Sequence, residues 1–202
     1  MPVTQLITSV GRGYRPFPTY YTINNAQQFS WNTVPDPYPF DGSSYAFTGS
    51  LGSLPTTISI NMWFRPRFNN VILLAEQDSP VENTDFHYTM VEINAFNVLQ
   101  ARIWDGVGTT YITPGNNVNL DQWNHLYYEF ANGTLSVTLN NGTAQTGSIG
   151  RTAPTNSYIG VGTFQTTYMI TQNRFQGELG ALDIASTQIG SNYLATKSEY
   201  GL

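Results

Sequence analysis

Residues 58–64 read Ile-Ser-Ile-Asn-Met-Trp-Phe. Ile58, Ile60, Met62 and Phe64 alternate with Ser59, Asn61 and Trp63. Successive side chains of an extended chain point to opposite faces, so this period of two predicts a β-strand with one well-buried face. The alternation recurs downstream. Leu126, Tyr128 and Phe130 alternate with His125, Tyr127 and Glu129, and Leu135, Val137 and Leu139 alternate with Ser136, Thr138 and Asn140. Asn132-Gly133 separates these two runs, Asn141-Gly142 closes the second, and Asp105-Gly106 lies between Leu-Gln-Ala-Arg-Ile-Trp and Thr-Thr-Tyr-Ile-Thr. Asn-Gly and Asp-Gly adopt the left-handed angles of tight hairpins at little cost. Short strands with turn signals at this spacing predict a β-sandwich. No long helix is indicated. Residues 185–197 have room for a turn or two, but Gly190 interrupts them.

The composition fits a folded, weakly charged domain. Of 202 residues, 10% are charged, against the usual quarter, while 40% are hydrophobic and 14% aromatic, too many for a disordered chain. A chain this long buries roughly 70% of its unfolded surface and needs no staples. It has none, since cysteine is absent, which excludes disulfides and thiolate metal sites. The surface must be covered by Asn, Gln, Thr, Ser and Gly. Net charge is -5 and Lys197 is the one lysine, so nothing offers nucleic acid an electrostatic footprint. An amide-rich neutral surface fits sugars or other protein surfaces, and it also fits mere solubility. No apolar run has the length of a membrane span. Residues 1–10 lack a charged start and an unbroken apolar core, so they do not read as a signal peptide. A chain made and kept in a cytoplasm is expected.

Six of the eleven prolines, Pro2, Pro16, Pro18, Pro35, Pro37 and Pro39, fall in the first 39 residues. Proline donates no ladder hydrogen bond, so residues 1–39 are read as an extended arm, with one strand near Phe29–Asn32. The arm carries Arg12, Tyr14, Arg15, Phe17, Tyr20 and Tyr21. These are residue types that enrich interface cores. Docking on a partner and wrapping the chain's own body both remain open. Residues 40–202 are expected to form the body and a short C-terminal tail.

The order of the remaining elements resembles the laminin G-like, concanavalin A-like family. Phe40-Asp41-Gly42 with the run to Pro66 is similar to its opening, a turn followed by a strand ending in an apolar-Trp-apolar triplet. Residues 120–142, with Trp123 ahead of a hairpin closed by Asn-Gly, resemble its middle. Residues 175–186, an aromatic-x-Gly step before an alternating strand, resemble its penultimate strand. The ending, residues 192–202, is similar to that of laminin G-like proteins of viruses. The resemblance implies an all-β, two-sheet antiparallel jelly-roll sandwich with an extended N-terminal arm. Asp41, Trp63, Trp123 and Gly177 are then structural anchors. The tryptophans are expected to pack with the indole N–H on a loop carbonyl, and Gly177 to let a neighbouring backbone approach.

Catalytic and metal chemistry find little support. Glucanases of this fold carry closely alternating carboxylates. Here Glu178 and Asp183 are five apart, so a regular strand sends them to opposite faces, and Glu92 has no acidic neighbour. His87 and His125 have no second ligand at metal spacing and are expected as exposed or hydrogen-bonded sheet residues. No G-x-S-x-G elbow occurs. No enzyme and no cofactor are therefore expected, with one exception for metal. Residues 76–85 place Glu76, Asp78, Glu82 and Asp85 in one predicted loop, and Asp78, Glu82 and Asp85 are candidate calcium ligands of the kind several laminin G-like domains use. The sequons at Asn132 and Asn141 are read as hairpin turns.

The expected function is a non-enzymatic structural protein of a virion, such as a phage capsid decoration protein, anchored by the arm on the virion surface. Its partners would be other virion proteins or sister subunits, with no nucleic acid and no membrane. The alternative is a stand-alone or tail-associated glycan-binding module for host attachment.

Overall fold

The computed structural model describes residues 21–24, 28–31, 37–42, 46–47, 57–79, 87–107, 110–152, 157–162 and 173–202. The strands are β1 (Tyr21–Asn24), β2 (Gln28–Trp31), β3 (Tyr38–Asp41), β4 (Ala46–Phe47), β5 (Thr57–Pro66), β6 (Val71–Gln77) and β7 (His87–Ile93). They continue as β8 (Leu99–Ala101), β9 (Asn124–Ala131), β10 (Thr134–Leu139), β11 (Gln145–Ser148), β12 (Tyr158–Val161), β13 (Asn173–Arg174) and β14 (Gln176–Ala185). A one-turn helix, Tyr193–Thr196, and a 3-10 turn, Lys197–Tyr200, end the chain. Among the described residues no helix is long and apolar enough to cross a membrane.

The larger sheet runs β1-β2-β14-β5-β9-β10-β11, with β3 beside β2 on the same edge of β14. The smaller runs β4-β12-β6-β7-β8, with β13 pairing β6 in parallel over two residues. Every other pairing is antiparallel. The two sheets enclose one core that includes Ile58, Ile60, Met62 and Phe64 from β5, Leu126 and Tyr128 from β9, and Leu73, Met90 and Leu99 from the smaller sheet. This is the jelly-roll sandwich of the concanavalin A-like kind. The β9–β10 hairpin turns on Asn132 (φ 51°) and Gly133 (φ 75°), with Ala131 opposite Thr134. The left-handed residues after β10 are Asn140 and Asn141, so that turn sits one residue earlier than Asn-Gly suggests.

Three features differ from local expectation. First, β5 is buried on both faces: Ser59, Asn61 and Trp63 are as enclosed as the core residues between them. Residues 186–202 lie across the outer face of the larger sheet and cover them. Asn61 Nδ2 donates to the Gly190 carbonyl (2.8 Å), and Trp63 stacks on Tyr200 (ring centroids 4.3 Å) and Tyr193 (5.5 Å). The Trp63 indole N–H donates to the Thr196 hydroxyl (2.8 Å), a side chain rather than a loop carbonyl. Second, β14 carries an extra residue. Leu179 faces Phe64 and Leu182 faces Met62, three residues against two. The bulge N–H, that of Ala181, donates to the Tyr200 hydroxyl (2.7 Å), and a Cβ on Gly180 would come within 2.5 Å of the Tyr200 ring. Third, the boundary drawn between residues 39 and 40 falls inside β3, and the β1–β2 hairpin joins the body's own sheet, Trp31 facing Leu182.

Candidate functional site

The end of the sandwich where β8 leaves the smaller sheet gathers aromatic rings around a buried arginine. Leu99, Ala101 and Ile103 enter the core, so Gln100, Arg102 and Trp104 alternate away from it. Ala101 and Ile112 exchange backbone hydrogen bonds, which closes the intervening loop and brings Tyr111 against Arg102. The Arg102 guanidinium lies 4.9 Å from the Tyr88 ring centre and 4.6 Å from that of Tyr111, and Tyr88 in turn packs on Trp104 (5.0 Å).

Arg102 uses all three of its nitrogens. Nε donates to the Thr89 carbonyl (2.9 Å), Nη1 to the Tyr111 hydroxyl, and Nη2 to Glu92 Oε2 (3.4 Å). Its side chain is 9% exposed and that of Glu92 4%, a depth at which a charge persists only when paired. Burial pushes the Tyr88 phenol up to about 12, the Arg102 charge only partly opposing it, and burial raises the Tyr111 phenol too. Both stay neutral at physiological pH. Tyr111 (37% exposed) and the half-buried Trp104 reach solvent, and Val107 stands out beside them (73%).

A second buried ion pair adjoins this cluster. Arg151 Nη2 contacts Glu76 Oε1 at 2.8 Å, the Ser157 hydroxyl donates to the same oxygen, and Thr152 N–H donates to the Trp104 carbonyl (2.8 Å). Glu76 Oε2, Gln77 Oε1, Asp78 Oδ1 and Arg151 Nε and Nη1 are buried without a hydrogen-bond partner among the described residues. Buried polar atoms of that kind ordinarily hold water or an ion.

The residues singled out from sequence fall in different places. Arg12, Tyr14, Arg15, Phe17 and Tyr20 lie outside the described residues, and Tyr21 opens β1, its backbone paired with Trp31. Asp41 ends β3 opposite Gln176. Trp123 packs edge-on against Tyr200 (4.8 Å). Gly177 has φ +151°, and a Cβ there would lie 2.1 Å from the Arg65 carbonyl oxygen, so only glycine fits. Glu76 is corrected from loop to strand, where its carboxylate is taken by Arg151. Asp78 follows β6, while Glu82 and Asp85 lie outside the described residues. Among the described residues no three His, Cys, Asp or Glu side chains are grouped to hold a metal.

The carboxylates also need correction. The β14 bulge cancels the odd spacing, because Glu178 faces Arg65 and Asp183 faces Asn61, four apart on β5. Glu178 and Asp183 therefore share the outer face instead of opposing each other. Four strand steps separate them by about 13 Å, beyond the roughly 5–10 Å of a glycosidase pair. Glu178 is held by Arg65 (3.3 Å), and Asp183 accepts from Asn192 Nδ2 (3.1 Å). His87 opens β7 opposite Gln77. His125 is buried under the tail, its Nε2 2.8 Å from Asn192 Oδ1 and its Nδ1 without a partner among the described residues, and burial lowers its pKa from 6.5 to about 4. The Tyr88–Arg102–Trp104–Tyr111 cluster was not singled out from sequence. Its one local signal was Arg and Trp on the outward face of the 99–104 alternation.

No family model matches the chain, and neither does any curated protein. Solved structures do, at the level of fold. The chain is similar to the laminin G domains LG4-5 of the mouse laminin alpha1 chain (TM-score 0.59, 20% identity), the match covering 75% of this chain and 41% of that one. It is similar to the carbohydrate-binding module of a Ruminococcus gnavus sialidase, solved with sialyllactose bound (TM-score 0.56, 12% identity), over 83% of this chain and 96% of that one. A Trypanosoma rangeli sialidase also matches (TM-score 0.53, 12% identity), over 87% of this chain but 30% of that one. What these structures share with the chain is the fold, a jelly-roll sandwich of the laminin G-like, concanavalin A-like kind.

Proposed function

We propose that this chain is a non-catalytic carbohydrate-binding module and that the end bearing Trp104 and Tyr111 is its binding surface. The observation that carries this is the Arg102 cluster. It fixes two solvent-reaching aromatic rings in place with a buried arginine, so little side-chain entropy remains to be lost when a ligand stacks on them. Pyranose rings offer C–H faces to aromatic rings and hydroxyls to phenols. The low charge and amide-rich surface suit such a ligand. The similarity to a module solved with a sialylated sugar supports the class. The spacing of the outer-face carboxylates, four strand steps or about 13 Å, supports binding without turnover.

The test is a glycan array followed by calorimetry on hits. Tyr111→Ala and Trp104→Ala should each weaken binding about tenfold or more, as loss of a stacking aromatic does. Absence of any glycan ligand, or affinity unchanged in both variants, would overturn the proposal. A place on a virion remains compatible, since a glycan-binding body can be carried by a particle. That reading depends on residues 1–20, and microscopy of particles decorated with full-length and truncated chains tests it.

A further inference from the structure

We infer that this surface selects neutral glycans and rejects acidic ones, an inference that rests on the carbohydrate-binding reading above. Recognition of a carboxylate or sulfate relies on an arginine or lysine with free donors. Six of the eight basic residues are described. Arg102 sits beneath the aromatic surface, but its three nitrogens serve Thr89, Tyr111 and Glu92, its faces are taken by Tyr88 and Tyr111, and its charge is matched by Glu92. Arg151, the other described cation at this end, keeps Nε and Nη1 without a partner among the described residues, but its side chain is only 6% exposed and its charge is matched by the fully buried Glu76. Arg65 lies at the far end of β5 with Arg67 just past it, Arg174 pairs beside the start of β6, and Lys197 is in the C-terminal tail.

Among the described residues, an anionic sugar arriving at Trp104 and Tyr111 would therefore meet no solvent-exposed, unpaired cation. To recruit Arg102 it would have to displace Glu92, leaving that carboxylate buried and uncompensated. It would also approach Asp105, in a chain of net charge -5. A neutral sugar needs none of this. It can stack on the rings and bond to the Tyr111 hydroxyl and neighbouring backbone.

The experiment compares matched pairs of oligosaccharides: lactose with sialyllactose, and neutral gluco- and galacto-oligosaccharides with their uronic-acid or sulfated counterparts. Binding is measured with chelator present so that no bridging cation is supplied. The neutral member of each pair should bind about tenfold tighter or more, with little dependence on salt, because no ion pair forms with the ligand. Glu92→Gln, which leaves Arg102 with uncompensated charge, should narrow that preference. Should Glu92→Gln fail to fold, the wild-type pairs and their salt dependence decide alone. Equal or tighter binding of the acidic members through Trp104 and Tyr111 would overturn the selectivity and leave the carbohydrate-binding reading standing. Binding of neither series would overturn both.

Discussion

Tyr200, two residues from the end of the chain, is predicted to hold the C-terminal tail on the sheet, and its removal can be worked in two steps. Its hydroxyl accepts the Ala181 N–H at the β14 bulge, a buried bond of 2.7 Å. Tyr200→Phe leaves that N–H without a partner, which costs about 1–3 kcal/mol. Its ring stacks on Trp63 at 4.3 Å and meets Trp123 edge-on at 4.8 Å. Tyr200→Ala removes these contacts as well and uncovers one side of Trp63, so the total cost should be about 3–5 kcal/mol. Urea melts followed by tryptophan fluorescence measure both, because Trp63 and Trp123 report on the contact directly. The alanine variant should unfold at clearly lower urea than the phenylalanine variant, and its native emission should shift to the red. Equal midpoints for the two variants, or a wild-type midpoint after deletion of residues 198–202, would refute the idea that the tail is part of the folded unit.

Acid should loosen the same region. The pKa of His125 is lowered by burial from 6.5 to about 4, so the neutral form is the one the fold holds. The stability this confers is fully present above pH 6.5 and is lost as pH falls toward 4, by about 3 kcal/mol at most. His125→Gln should flatten stability across that window, and an unchanged pH profile would dismiss the effect. For calcium, Asp78 Oδ1 is a buried oxygen without a partner among the described residues. If it binds the ion with Glu82 and Asp85, chelation should lower the melting temperature and Asp78→Asn with Asp85→Asn should abolish the response, whereas no shift with chelator assigns Asp78 to water. Deleting residues 1–20 should leave melting nearly unchanged. Deleting residues 1–31 should lower it by stripping β1 and β2 from β14, and equal melting of the two truncations would show that this hairpin adds nothing to the body.

Much of the fold was legible because its signals are local. Period-two alternation marked β5, β9 and β10, and Asn132-Gly133 marked their hairpin, since both depend only on the geometry of neighbouring residues. The aromatic-x-Gly step marks Gly177, but its physical reason, the Arg65 carbonyl packed against it, is a tertiary contact. Trp63 was read as one of β5's alternating residues, but nothing local says that a tail more than a hundred residues later covers that face. Likewise the spacing of Glu178 and Asp183 implied opposite faces until pairing with β5 inserted an extra residue between them. The candidate site was the least legible of all. Tyr88, Arg102 and Tyr111 come from separate segments, and they meet only because β7 pairs with β8 and Ala101 bridges Ile112. Sequence alone determined which segments extend and where they turn, because those preferences lie within a few residues. Tertiary structure alone decided which faces are buried and which side chains converge, because register, bulges and tail docking are settled by long-range packing.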